Sequence, residues 1–218
     1  AVLAAALPAW LVADQAERSI VDVAVGAIVL GSILFVPFFA NRGHLEPRQF
    51  AQFPARPASV ATALLGTTVV SWPFMLLVVW LGALAVFRPE WREPAWVLPV
   101  AFVLIALFAI VAARVSSALS KLLLGERYEG LMRTIGGVLI VAFLPLLVFV
   151  AGTTASQGGV SSAAEFSGVL AWTPFGAPFV ALHAGGDSAE AALRLALLAA
   201  LIGVLLLAWY AVVAVSLR

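Results

Sequence analysis

The sequence predicts an all-α membrane protein with about six transmembrane helices, the first of them truncated. Three observations lead there. The 218 residues are 64% hydrophobic and only 11% charged, whereas a soluble domain is roughly 45–50% apolar and about 25% charged. Apolar runs recur along the chain at lengths near the roughly 20 residues that a helix needs to cross about 30 Å of hydrocarbon. The Lys and Arg residues, finally, gather in two of the gaps between those runs.

The expected spans are residues 1–13, 20–40, 59–87, 95–119, 134–152 and 188–216 of a single transmembrane domain. Residues 1–13 are apolar but have no basic region before them, so they resemble the end of a span rather than a signal peptide. The expectation is that the chain is cut from a longer protein. Membrane strands would alternate apolar and polar residues in pieces of about ten, and runs such as 143–151 do not alternate.

Orientation follows from the basic residues. The segments at 41–58 and 120–133 carry Arg42, Arg48, Arg56, Lys121, Arg127 and Arg133, while 153–187 carries no Lys or Arg. Cytoplasmic loops are the basic ones, so the first two segments face inward. The acidic stretch 14–19, the segment 88–94 and the long segment 153–187 face outward. Beyond the truncated first span, which holds Pro8, four spans contain prolines (Pro37, Pro73, Pro99 and Pro145), each able to kink its helix. Ala27/Gly31, Ala109/Ala113 and Ala199/Gly203 let helices approach closely. They fit ordinary bundle packing, and a dimer seam or a moving wall is the alternative.

Three segments carry the functional expectations. The inner segment around Leu45-Glu46-Pro47-Arg48-Gln49-Phe50 is too polar to span and too apolar for a plain linker. Pro47 suits a helix start. Phe50 and Phe53 share a face, and Pro54 ends the helix. Such a helix either rests on lipid or docks as a knob into a cytoplasmic partner. The outer stretch holding Trp172, Pro174, Phe175, Pro178 and Phe179 is uncharged until Asp187. It should sit in the interface or fold back into the bilayer, as an aromatic belt or as an outer gate over a pathway. Third, Arg114, Lys121 and Arg127 form a basic inner end. For Arg114 the position favours snorkelling over facing an internal cavity.

What the chain lacks narrows the function. No acid, His or Lys stands near the middle of a span, where ion-coupled carriers usually place one. There is no phosphate-binding loop, and there are no hydrolase or zinc-protease motifs. Cys is absent, and His44 and His183 fall in different loops.

The order of elements resembles the permease of an ABC exporter of the ABC-2 type. In that family a coupling helix follows the second span, and short re-entrant outer helices lie between the fifth and sixth. The local sequence is similar to actinobacterial permeases, which carry a pattern like L-x-P-x-x-F-x-x-x-P. Here it stands as Leu45, Pro47, Phe50 and Pro54. Ala113-Arg114-Val115-Ser116 and Trp172-Thr173-Pro174-Phe175-Gly176 add to the likeness.

The resemblance implies a non-enzymatic transport subunit in a bacterial cytoplasmic membrane. Its coupling helix would hold Leu45, Glu46, Pro47, Arg48, Gln49, Phe50, Phe53 and Pro54. The implied partners are a cytoplasmic ABC ATPase carrying ATP and Mg, a second permease half or copy, and the lipid bilayer. No nucleic acid and no cofactor of the chain's own is implied. The expected cargo is apolar or amphipathic. A secondary carrier or channel, and a lipid-handling membrane enzyme, are the rival expectations.

Overall fold

The last helix shows the building rule most simply. Along it, Ala191, Leu195, Leu198, Ile202, Leu205, Trp209 and Val213 are buried, at steps of three or four that put them on one stripe. Its other faces carry exposed Leu193, Val204, Leu207 and Val215. A helix in water would make that outer face polar. Here it is as apolar as the inner one, as expected where the surroundings are lipid.

The computed structural model describes residues 15–39, 56–124, 168–184 and 187–216. Among them the elements are all helical: α1 (Gln15–Phe39), α2 (Pro57–Val69), α3 (Trp72–Phe87), a 3-10 turn (Pro89–Arg92), α4 (Val97–Leu124), α5 (Ala177–Leu182) and α6 (Ser188–Ser216). Two stretches are long and apolar enough to cross a membrane, Val97–Ala118 and Ser188–Val215. The expected boundaries at 95–119 and 188–216 lie close to these.

The expected span 59–87 is broken into two helices, α2 and α3, bent by 59° at their junction; together the pair is apolar and long enough to cross a membrane as a third stretch. Pro73 is the cause. It sits in the first turn of α3, where its missing N–H costs nothing. In an unbroken helix it would leave the carbonyl of Val69 unbonded and its ring would collide there. Pro99 falls likewise in the first turn of α4 and does not interrupt it.

The central helix is α4, which touches α1, α2, α3, α5 and α6. Val97, Ala101, Ile105, Phe108 and Ala112 are fully enclosed on it. Of the small-residue pairs, Ala27 and Ala109 are buried. Ala199 and Gly203 face out of α6, and Gly203 has no neighbour within 4 Å of where a Cβ would stand. That pair therefore packs no helix among the described residues.

Two glycines are required by close approach. A Cβ on Gly26 of α1 would lie 2.2 Å from the ring of Phe179, and one on Gly176 would lie 2.3 Å from the carbonyl oxygen of Leu170. Gly26 thus forms the floor on which the buried Phe179 rests. Gly26→Ala should destabilise the protein by about 1–3 kcal/mol, the usual cost of overpacking. Adding Phe179→Leu should recover part of that loss. Unfolding titrations of the purified protein in mixed micelles read both effects.

Candidate functional site

Four polar side chains converge at the end of the bundle expected to face outward. Asp22 lies seven residues into α1, with its carboxylate wholly enclosed. Arg88 caps the end of α3 and grips that carboxylate with two bonds, Nε to Oδ2 at 3.0 Å and Nη2 to Oδ1 at 3.3 Å. His183 caps the end of α5 and brings Nε2 to 3.0 Å from Asp22 Oδ2. Trp91, from the 3-10 turn, is fully buried and places its Nε1 3.1 Å from the same His183 nitrogen.

Arg88 and His183 stand at the ends of α3 and α5, where helices hold unpaired backbone groups and polar residues gather. Trp91 comes from the 3-10 turn, and Asp22 reaches the same level from about two turns inside α1. A charge in such an apolar setting persists only when paired and hydrogen-bonded. The fork of Arg88 meets that need with the two-toothed geometry that suits a carboxylate.

His183 is a junction with one bond to give. The indole N–H of Trp91 can only donate, so it requires a bare Nε2. Asp22 as a carboxylate can only accept, so it requires a protonated Nε2. The ring therefore satisfies one neighbour or the other through that nitrogen. The ring also meets Trp91 edge-on at 5.9 Å between centroids, and Phe179 packs against both Trp80 and Trp91.

The outer aromatic segment leads into this cluster. Phe175 meets Phe108 edge-on at 5.8 Å. Phe108 lies eleven residues beyond Val97, about 16 Å along α4 at 1.5 Å per residue. Pro178 and Phe179 are buried, Pro174 and Phe175 half-buried, and Trp172 is 65% exposed. Trp172 is held from below by Arg194, whose guanidinium carbon lies 3.9 Å from the ring centroid. Arg194 also donates to the Ala171 carbonyl at 2.7 Å and to Glu190 at 3.1 Å. The Glu190 pairing is the one expected from their four-residue spacing. The five aromatic and proline positions are thus brought together, but with different exposures.

Farther along α4, Arg114 departs from expectation. It does not snorkel to the surface: it is 8% exposed and hydrogen-bonds inward. Its Nε donates to Thr68 Oγ1 at 2.8 Å and its Nη2 to Thr67 Oγ1. The threonines lie in the last turn of α2, which packs against α4. Lys121 lies on α4, but its side chain is outside the described residues, as is Arg127. The inner segment with Leu45, Glu46, Pro47, Arg48, Gln49, Phe50, Phe53 and Pro54 also lies outside them.

The sequence reading did not bring Asp22, Arg88, Trp91 and His183 together. One signal was present: a lone acid inside an apolar run must find a buried partner. Comparison of the chain with protein-family models, with curated proteins and with solved structures gives no match.

Asp22→Leu should destabilise the protein by about 3–5 kcal/mol, because it removes one partner of a buried ion pair. Asp22→Leu combined with Arg88→Met should cost distinctly less than the single change, since no buried charge then remains from the pair. A double-mutant cycle on unfolding free energies measures the difference.

Proposed function

We propose that the chain is the permease unit of an ATP-driven exporter of the ABC-2 type, moving an apolar or amphipathic substrate outward across a bacterial cytoplasmic membrane. The observation that carries this reading is the outer segment. A short helical turn and α5 precede the last helix; between them Phe175 reaches Phe108, and Phe179 on α5 is buried, while Trp172 stays at the surface. That is the form a re-entrant outer gate would take, in the place the resemblance puts one. The bent α2–α3 pair gives further support. It follows directly on the segment that holds Leu45–Pro54, so a push on that segment would reach the bend.

In this mechanism a separate cytoplasmic ATPase binds ATP and Mg and holds the Leu45–Pro54 helix, with Phe50 and Phe53 as apolar anchors and Arg48 and Gln49 as polar contacts. Closure of the ATPase moves the knob. The bend at Pro73 turns that push into a change of tilt between α2 and α3, and two facing permease units alternate access. Trp172, Pro174, Phe175, Pro178 and Phe179 form the lid. The chain itself performs no covalent chemistry. Six spans per unit, including 134–152, belong to this same proposal.

One observation favours a second reading. Asp22 and His183 form an enclosed acid–imidazole pair, which a proton-coupled carrier would use. Both carboxylate oxygens are already held by Arg88, and this favours a structural tie over a proton path.

The test is purification of the native full-length protein in mild detergent with identification of what accompanies it. An ATPase should co-purify in near-equal amount. Arg48→Glu with Phe50→Ala should weaken its retention at least about tenfold, as expected when anchors worth roughly 2 kcal/mol are removed. Recovery of the protein without any ATPase, or retention unchanged in the variant, would overturn the reading.

A further inference from the structure

Arg114 poses a problem of charge. It is buried within α4, seventeen residues beyond Val97 and ten short of Leu124, about 25 Å along the helix. Among the described residues no carboxylate lies within ion-pairing distance of it. Its bonding partners are two neutral hydroxyls. The C-terminal end of α2 is close by, but a helix end offers only about half a negative charge. A buried guanidinium normally has a full counter-charge.

The geometry also leaves the right part of the side chain unused. A guanidinium has five N–H donors. The single N–H on Nε goes to Thr68 and one on Nη2 goes to Thr67. The end-on edge, made of Nη1 and the remaining Nη2 hydrogen, makes no bond among the described residues. Nη1 is not among the side-chain atoms that are both sealed and unpartnered, so this edge remains open. Two parallel N–H groups on such an edge fit a two-oxygen anion. Thr67 donates onward to the Leu64 carbonyl at 2.8 Å, so its hydroxyl keeps a lone pair toward Arg114 and holds the fork in place.

What stands beside the site sets the rest of the ligand. Val69, Val70 and Trp72 are exposed, Val70 at 82% and Trp72 at 74%, within four residues of Thr68 at the bend. An apolar step next to a buried cation suits a molecule with an anionic head and an apolar tail. We propose that Arg114, positioned by Thr67 and Thr68, binds the oxyanion headgroup of an amphiphile, with its chain along the exposed step at Val70 and Trp72.

Binding does not depend on the exporter reading. Only the further step, that the amphiphile is cargo, rests on it. That step would refine the expected cargo from apolar or amphipathic to anionic and amphipathic.

The test uses the full chain in micelles, with bound lipid counted by native mass spectrometry. Phosphatidylglycerol and phosphatidylcholine of identical chains are offered in competition, with and without inorganic phosphate. Phosphatidylglycerol should be retained over phosphatidylcholine. Arg114→Gln should lower that preference about tenfold, equivalent to about 1.4 kcal/mol. Arg114→Lys should keep part of it, because the charge remains while the fork is lost. Thr68→Val, which keeps the charge and its burial, should weaken the preference less than Arg114→Gln does, and it serves where the Arg114 variants fold poorly. Equal retention of both lipids by the wild type, or an unchanged preference in Arg114→Gln, would overturn the site. Displacement of the lipid by inorganic phosphate at comparable concentration would overturn the amphiphile and leave a free-anion site. Because the readout is lipid retention, failure here and absence of a co-purifying ATPase are separate results.

Discussion

A carboxylate enclosed among apolar helices must be matched or expelled, and the outer end of this protein is arranged around matching one. Asp22 is held by Arg88 from the end of α3 and approached by His183 from the end of α5. Those contacts join segments 66 and 161 residues apart in sequence. With water excluded, the attraction between such groups is far stronger than at a surface, and so is the cost of separating them. The pair therefore fixes where α1, α3 and the outer segment stand relative to one another. Trp91 and Phe179 then fill the space beneath, and Gly26 supplies the floor on which the Phe179 ring rests.

Two sites along the bundle treat charge differently. Around Asp22 the cation has its anion, and the arrangement is closed. Farther along α4, Arg114 has hydroxyls alone among the described residues, beside a bent helix pair and an exposed apolar step. A matched pair holds elements together, whereas an unmatched cation has free bonding capacity. This contrast makes the Asp22 cluster a structural tie and the Arg114 site a place for a ligand.

Much of the helical plan could be read from the residues. The apolar runs that became α4 and α6 have the length of a bilayer, and no sheet pattern competes with them. The bend at Pro73 was foreseeable as a kink, although its 59° angle depends on how α2 packs against α4 and α6. The aromatic segment was legible as something that would not stay in water. The outer cluster was harder to see. Arg88 and Trp91 sit in a stretch with Arg92, Glu90 and Glu93, a composition typical of a solvated loop, yet Trp91 is fully buried. Nothing local says that this loop turns inward, because the reason lies in Asp22 and His183, which are distant in sequence. Arg114 was misjudged for a similar reason. Snorkelling is the default for a basic residue near the end of a span, and only the packing of α2 against α4 puts Thr67 and Thr68 within its reach.

The central claim is that the outer aromatic segment is seated in the bundle and tied there through Asp22. The chain has no cysteine, so a single introduced thiol reports one position without background. Cysteines at 172 and at 179, probed in intact membranes with an impermeant reagent from the outer side, test the claim directly. The account predicts fast labelling at 172, protection at 179, and loss of that protection when Asp22→Leu is added. Equal labelling at the two positions, or protection at 179 that does not respond to Asp22, would contradict it.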